Sequence, residues 1–129
     1  MIGEPTRAGF GTVTPYLMVR QVDPIVDFLR QAFGAKETFR TTGGAGGIHC
    51  EVRIGDSMVM IGGDAPGGVE PKPSALFLYV EDVDAVYARA LDAGATSLIE
   101  PGAQFGEQRG AGVEDPFGNQ WFMARHDRG

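Results

Sequence analysis

The chain of 129 residues is poor in the residues on which several protein classes depend. Its single cysteine, Cys50, excludes a disulfide framework and favours a reducing, cytoplasmic setting. It has no apolar run close to the ~18 residues of a membrane span, and residues 1–7 carry no apolar signal segment, so neither insertion nor secretion is expected. Lys and Arg number only 11, the formal net charge is −6, and nucleic-acid binding is therefore disfavoured.

What the chain does have is an internal repeat. A hydrophobic run at Tyr16–Val19 leads into a Val-Asp pair and then a segment ending in Phe-Gly-Ala. The run at Phe77–Val80 leads into a second Val-Asp pair and a segment ending in Ala-Gly-Ala. Two copies of one unit predict a pseudo-symmetric fold with a concavity between the two half-sheets, and the site is expected there.

Each copy is predicted to form a strand, then a helix, then three further strands. In the first, strands are predicted at 12–20, 36–40, 48–54 and 57–61, with a helix capped by Asp23, carrying Pro24 at its first position and closed by Gly34. In the second, strands are predicted at 76–80, 97–100, 108–114 and 119–125, with a helix opening at Val83 and closed by Gly94. The expected fold is one α+β domain over 1–129, with module one at about 12–62, a Pro/Gly-rich linker at 63–73 and module two at about 74–126.

Four motifs carry a family resemblance as well as a pattern. Thr14–Val19, His49–Ser57, Val80–Val86 and Asp115–Trp121 together resemble the vicinal oxygen chelate superfamily, and more narrowly its PhnB-like, glyoxalase and bleomycin-resistance branch. The resemblance spans about 12–126. It implies two tandem βαβββ modules forming cupped mixed sheets with the helices on the convex side, and a homodimer. It also implies a range of activities, from isomerases and dioxygenases to non-catalytic drug binders.

The resemblance implies four metal-ligand positions on the inward strand faces. The repeat places them at Thr14, at Met60 or its neighbour Val59, at Ala75 and at Phe122. Divalent metals of such enzymes need imidazole or carboxylate ligands, which none of these residues offers. The expectation is therefore no catalytic metal and no other cofactor.

Strand alternation suggests what lines the cleft instead. If Thr14, Ala75 and Phe122 face the concavity, the residues two apart along the same strands face it too, and the wall becomes aromatic and sulfur-rich. The alternative is that these side chains are ordinary core. The complete set of expected ligand-binding residues is Tyr16, Met18, His49, Met60, Phe77, Tyr79, Arg109, Phe117, Gln120 and Phe122.

His49 and Glu51 are the candidates for catalysis. They are two apart on one strand face, opposite Cys50, so the carboxylate could orient the imidazole as a general base. The plainer interpretation is a half-exposed strand histidine. Arg109 could bind a carboxylate or quinone-like oxygen, or form a surface ion pair, and Phe117 at a turn could cap the cleft.

Three functional hypotheses follow. The first is a metal-free protein that binds a small aromatic or apolar compound, for resistance or sequestration. The second is a metal-dependent lyase or dioxygenase whose metal is recruited near His49 and Glu51. The third is an interaction module whose cleft is filled by a second copy of the chain.

Overall fold

The computed structural model describes residues 5–68, 70–105 and 108–126, with the backbone alone for 104 and 105. Its helices and strands are β1 (Tyr16–Met18), α1 (Val22–Phe33), β2 (Lys36–Thr42), β3 (Ile48–Ile54), β4 (Ser57–Gly63), β5 (Ala75–Tyr79), α2 (Val83–Asp92), β6 (Thr96–Phe105), β7 (Gln108–Glu114) and β8 (Gln120–Ala124). Neither of these helices is long and apolar enough to cross a membrane.

The strands form two four-stranded sheets with the same internal order. The first sheet runs β1-β4-β3-β2 and the second runs β5-β8-β7-β6. In each, the first strand pairs in parallel with the last strand of its module, and the other pairs are antiparallel. The predicted α+β fold with two tandem βαβββ modules and mixed sheets is confirmed.

The chain divides into two compact units. The second comprises Asp27–Phe33 and the residues from Pro73 onward, and the first comprises the rest. Helix α1 thus contributes its first residues to one unit and its remainder to the other. Within the second unit, the ring of Phe33 lies 5.0 Å from that of the buried Trp121.

Alternation along the strands gives the first sheet one buried and one more exposed face. Leu17, Cys50 and Ile61 lie on one face and are fully buried. Tyr16 pairs with Met60, and Met60 pairs with Glu51, so these three residues share the opposite face. The same alternation puts His49 and Glu51 on the face opposite Cys50, as the sequence predicts.

The start of α1 differs from the prediction. The helix begins at Val22, so Asp23 and Pro24 lie inside its first turn and Asp23 is not the cap. The Val22 amide instead donates to Asp64 Oδ2 at 2.8 Å, from the loop that follows β4. A distant carboxylate therefore satisfies the helix terminus, one of the places where backbone donors lack an intrahelical partner.

The other helix ends agree with the prediction. α2 starts at Val83, and the Asp82 side chain caps it by accepting from the Ala85 amide at 3.0 Å. Gly34 and Gly94 follow the helices with φ of 71° and 112°, the left-handed conformation that glycine adopts without strain.

β6 is longer than predicted. It extends from Thr96 to Phe105, through Pro101, where the sequence prediction stopped at Glu100. Its pairing with β7 shifts register between Ile99 and Gly102. An edge strand with a bulge tolerates proline because one side of the strand needs no ladder hydrogen bond. β2 is also longer than predicted, reaching Thr42.

Asp115 organises the turn between β7 and β8. Its Oδ1 accepts from the amides of Phe117 and Asn119, at 2.8 and 3.0 Å. Its Oδ2 accepts from Trp121 Nε1 at 2.9 Å and from Asn119 Nδ2 at 3.1 Å. Asn119 Oδ1 in turn accepts from the Ser74 amide at 3.0 Å. The Asp115–Trp121 motif is therefore a structural turn that is held by the buried Asp115 and Asn119 and fixes the start of β8.

Candidate functional site

A groove of about 420 Å³ opens on the exposed face of the first sheet. One part of its lining consists of larger side chains from β1 and β3: Tyr16, Met18, Ile48 and His49. The other part consists of small residues: Gly43, Gly44, Ala45, Gly47, Gly62, Gly63, Ala65 and Gly68. All of these residues belong to the first unit.

The small residues come from two chain segments that meet. The turn that joins β2 to β3 is closed by a 2.7 Å hydrogen bond from the Gly43 amide to the Gly47 carbonyl. A Cβ at Gly46 would lie 2.8 Å from Pro66, so this turn packs directly against the loop after β4. With hardly any side chain on this side, peptide groups themselves form the wall of the groove.

Tyr16 lies across the end of β4. A Cβ on Gly62 would come within 2.6 Å of the Tyr16 hydroxyl oxygen, so only glycine lets the ring rest there. The ring also meets His49 edge-on, with 6.0 Å between ring centroids. Tyr16 remains 51% exposed, which leaves much of its surface available to the groove.

Glu51 lies on the same face and is almost completely buried. Its side chain is 1% exposed, and its Oε2 accepts from Arg7 Nη1 at 2.6 Å. Burying a carboxylate is costly unless a charge and hydrogen bonds compensate it, and Arg7 supplies both. The guanidinium also stacks on Phe39, 4.6 Å from that ring's centroid, and stands 5.7 Å from that of Phe10.

His49 is the second partner of the buried carboxylate. Its Nε2 lies 2.9 Å from Glu51 Oε2, and its side chain is 26% exposed where it lines the groove. An ionised carboxylate only accepts hydrogen bonds, so Nε2 must carry a proton and donate it. In neutral His49 the other ring nitrogen, Nδ1, is therefore an acceptor.

The predicted ligand-binding residues thus fall into separate places. Tyr16, Met18 and His49 line the groove. Met60 lies on the same sheet face, between Tyr16 and Glu51 in the register, but is not part of the groove lining.

The second sheet carries the other aromatic candidates on its own face. Phe77 pairs with Phe122, and alternation puts Tyr79 and Gln120 on that same face. The Phe77 and Tyr79 rings are 5.3 Å apart, and these side chains are 47% and 73% exposed. They form an aromatic surface in the second unit, and their role toward a ligand stays a prediction.

Arg109 and Phe117 are engaged elsewhere in the second unit. Arg109 makes two 2.7 Å hydrogen bonds to the carboxylate of Asp84, in the first turn of α2. These bonds hold the pKa of the Asp84 carboxyl below its usual range. The ion pair corresponds to the alternative interpretation of Arg109, while Phe117 is half-buried in the Asp115 turn. Ligand contact by either stays a prediction.

The expected metal positions do not provide metal-ligand chemistry. Thr14, Met60, Ala75 and Phe122 present a hydroxyl, a thioether, a methyl group and a phenyl ring. Imidazole and carboxylate ligands for zinc, iron or nickel are missing from this set. Among residues 5–68, 70–105 and 108–126, no three His, Cys, Asp or Glu side chains cluster together.

Cys50 lies in β3, on the buried face of the first sheet, and is fully buried. Burial raises the pKa of its thiol to about 11, because the low-dielectric interior disfavours the thiolate. This is the environment of a structural cysteine rather than of a nucleophile.

Sequence reasoning missed two parts of the site. Arg7 lies 44 residues from Glu51 in the chain and belongs to no periodic pattern. The strand predicted at 57–61 stops short of Gly62 and Gly63, although these two residues end β4 and line the groove. A glycine pair directly after an apolar strand was the available signal for a close approach.

Comparisons with known proteins found a matching family model and related sequences. A model of the Glyoxalase/Bleomycin resistance protein/Dioxygenase superfamily matches residues 9–123. An uncharacterised protein of Mycobacterium bovis is 36% identical over 124 residues, which cover 88% of this chain and 82% of that protein. An uncharacterised Mycobacterium tuberculosis protein is also 36% identical, with 73% of its length covered.

Solved structures share the fold at lower identity. TioX from Micromonospora sp. ML1 superposes with a TM-score of 0.69 at 23% identity, covering 92% of this chain and 98% of that one. The fosfomycin resistance protein FosX from Mesorhizobium loti gives 0.66 at 17% identity, with 92% and 93% covered. Glyoxalase I from Zea mays gives 0.74 at 16% identity, with 86% of this chain and 43% of that chain covered.

Proposed function

Because the chain belongs to the glyoxalase, bleomycin resistance protein and dioxygenase superfamily, we propose that it uses the superfamily fold as a metal-free binding protein. The ligand is a small, flat, aromatic or apolar compound held in the groove of the first sheet. The observation that carries the proposal is the groove itself, in which Tyr16 and Met18 stand among lining residues that are mostly glycine and alanine.

The size and lining of the groove suit such a ligand. Its volume of about 420 Å³ lies within the roughly 300–1,000 Å³ typical of small-molecule sites. Aromatic and thioether side chains favour flat apolar groups, since rings stack and sulfur packs well against ring edges. The glycine and alanine residues of the lining carry little or no side chain, so a flat compound could approach the backbone closely.

The biological role we propose is sequestration or protection. FosX, a fosfomycin resistance protein, has the same fold at 17% identity. This is an analogy of fold, and it supports a class of role rather than a particular compound.

The proposal is tested by filling the groove. The Gly44→Trp variant places a large side chain in it, and the backbone tolerates the change because a Cβ at Gly44 meets nothing within 4 Å. The matched control is Asp56→Trp, at the exposed turn between β3 and β4, at the opposite end of β3 from His49.

A library of flat aromatic compounds is screened by thermal shift on the original chain and both variants. Ligands are expected to raise the melting temperature of the original protein and of Asp56→Trp, and to bind Gly44→Trp at least about ten-fold more weakly. Equal stabilisation of Gly44→Trp, or no stabilising compound in a broad library, would contradict the proposal.

The metal-dependent alternative meets an obstacle in the same site. Glu51 Oε2 already accepts from both Arg7 and His49, so a metal bound there would have to displace a buried ion pair. Elemental analysis of freshly purified protein distinguishes the two hypotheses. One equivalent of a transition metal would favour the enzyme, and we expect none.

We also propose that the chain forms a homodimer through the aromatic surface of Phe77 and Tyr79. Tyr79 is 73% exposed, and large exposed apolar groups on a sheet face are typical of interaction surfaces. Light scattering should give the mass of a dimer for the original chain and of a monomer for Tyr79→Glu. A monomeric original chain at high concentration would contradict the proposal.

A further inference from the structure

We propose that the groove binds aromatic compounds carrying a weakly acidic hydroxyl, and that His49 takes the proton of that hydroxyl on binding. This inference rests on the proposed function and narrows its ligand class. The observation behind it is the arrangement of His49, Glu51 and Arg7 at one end of the groove.

The buried carboxylate fixes the proton on the imidazole. Glu51 is 1% exposed, and its carboxylate is ion-paired with Arg7 and accepts the Nε2 proton of His49. Nδ1 is then the acceptor, ready to receive a proton from a ligand hydroxyl. A histidine with no oriented partner would exchange freely between its two neutral forms.

The same carboxylate stabilises the product of proton transfer. When the ligand O–H bond breaks, its electrons stay on the ligand oxygen and the proton joins Nδ1. The imidazolium formed lies 2.9 Å from the Glu51 carboxylate through Nε2. Arg7, Glu51 and imidazolium together carry one net positive charge, which the bound phenolate neutralises.

The groups around His49 leave this assignment intact. Within the described residues, Glu51 is its neighbour on β3 and Tyr16 its neighbour on β1, while Arg7 shares the carboxylate. Thr41 on β2 and Gly62 on β4 pair with His49 in the register and carry no charge. Among these groups, Glu51 is the anion that faces the ring.

The test uses 4-nitrophenol and its methyl ether, 4-nitroanisole. The two compounds have nearly the same shape, but only the phenol has a proton to give, and its anion absorbs visible light. Titrations are run at a pH at which most of the free phenol is neutral. The original chain should bind the phenol at least about ten-fold more tightly than the ether, with growth of the phenolate band.

Two variants separate proton transfer from simple packing. His49→Gln keeps a polar side chain but cannot accept the proton, and Glu51→Gln removes the charge that orients Nε2. Both should lose the preference for the phenol over the ether and show no phenolate band. Should Glu51→Gln fail to fold, His49→Gln gives the same readout alone.

Each result bears on the inference. Equal affinity for both compounds, or a phenolate band that survives in His49→Gln, would overturn it. If the original chain binds neither probe, yet library compounds stabilise it and not Gly44→Trp, proton transfer is wrong and the groove proposal stands. If neither probe nor library compound binds, both proposals are wrong.

Discussion

Strands β1, β4 and β3 pair in the same register as β5, β8 and β7, but the exposed faces of the two sheets differ in chemistry. In the first, Glu51 pairs with Met60, which pairs with Tyr16. In the second, Gly112 pairs with Phe122, which pairs with Phe77. The carboxylate of one module therefore corresponds to a glycine in the other, and by the same count His49 corresponds to Gly110.

The buried faces match much better. Val52 corresponds to Val113, and Cys50 corresponds to Ala111, each of them fully buried. Packing against the interior restricts these positions to apolar side chains, whereas an exposed face can change its chemistry without loss of the fold. On this face the first module therefore carries an imidazole and a carboxylate, whereas the second module has glycine at both positions and shares only the fold.

The largest expected effect concerns the turns that join the last two strands of each module. Asp115→Ala leaves buried donors on Asn119 and Trp121 without an acceptor, which should lower the free energy of unfolding by about 3 kcal/mol or more. Urea unfolding followed by circular dichroism measures this loss.

The matched control is Asp56→Ala in the corresponding turn of the first module. Asp56 is exposed and its carboxylate accepts from the exposed Ser57 hydroxyl, so the change should stay within about 0.5 kcal/mol. Similar losses for both variants would show that Asp115 does not hold its turn as described.

The sequence was sufficient for features that depend on near neighbours. Three such features were predictable: the C-terminal ends of the two helices at Gly34 and Gly94, the strand faces around Cys50, and the tandem order of the elements. They were predictable because hydrophobic periodicity and glycine geometry act over a few residues.

Features that depend on distant residues were missed. Asp23 is a good local cap candidate, yet the Val22 amide at the helix terminus donates to Asp64, 42 residues from Val22. Likewise, no residue near Glu51 in the sequence indicates that Arg7, 44 residues away, pairs with its carboxylate. Local sequence patterns do not describe how distant segments meet in the fold. The fold determines whether a polar group pairs with a nearby residue or with a remote one.

The second prediction compares the burial of the two corresponding interior positions, Cys50 and Ala111. With its pKa raised to about 11, the Cys50 thiol should react with iodoacetamide about a hundred-fold or more slowly than a free thiol. The single-cysteine variant Cys50→Ala with Ala111→Cys should be protected similarly, because Ala111 is also fully buried.

The pH dependence of Cys50 has a definite sign. Because the thiol's pKa is raised in the fold, the unfolded chain ionises first and stability falls as pH rises from the ordinary thiol range toward about 11. Cys50→Ala should remove this part of the decline. Rapid labelling of native protein, or an unchanged alkaline decline in Cys50→Ala, would contradict the assignment.

The third prediction concerns the glycine beneath an aromatic ring in each module. A Cβ at Gly112 would lie 2.9 Å from Phe122 Cδ1, near the stem of the side chain, so Gly112→Ala should cost about 1–3 kcal/mol of unfolding free energy. A Cβ at Gly62 would meet mainly the outer end of the half-exposed Tyr16, which can lift away. Gly62→Ala should therefore cost less than about 1 kcal/mol. The reverse order in thermal or urea unfolding would contradict this account.

The smallest effect belongs to the surface ion pair of the second module, Arg109 with Asp84. Both side chains are about half exposed, so Asp84→Asn should shift the urea midpoint only slightly at neutral pH. The pKa of Asp84 is lowered in the fold, chiefly by its hydrogen bond from Arg109, so the pair's contribution is present at neutral pH and disappears as pH falls through that lowered pKa. The difference in urea midpoint between the original chain and Asp84→Asn should accordingly disappear in acid, and also in molar salt.

In the first module Arg40 bonds two carboxylates, Glu37 and Asp23, so Arg40→Gln should shift the urea midpoint more than Arg109→Gln does. A larger shift for Arg109→Gln would mean that the second module depends on its surface charges more than the first.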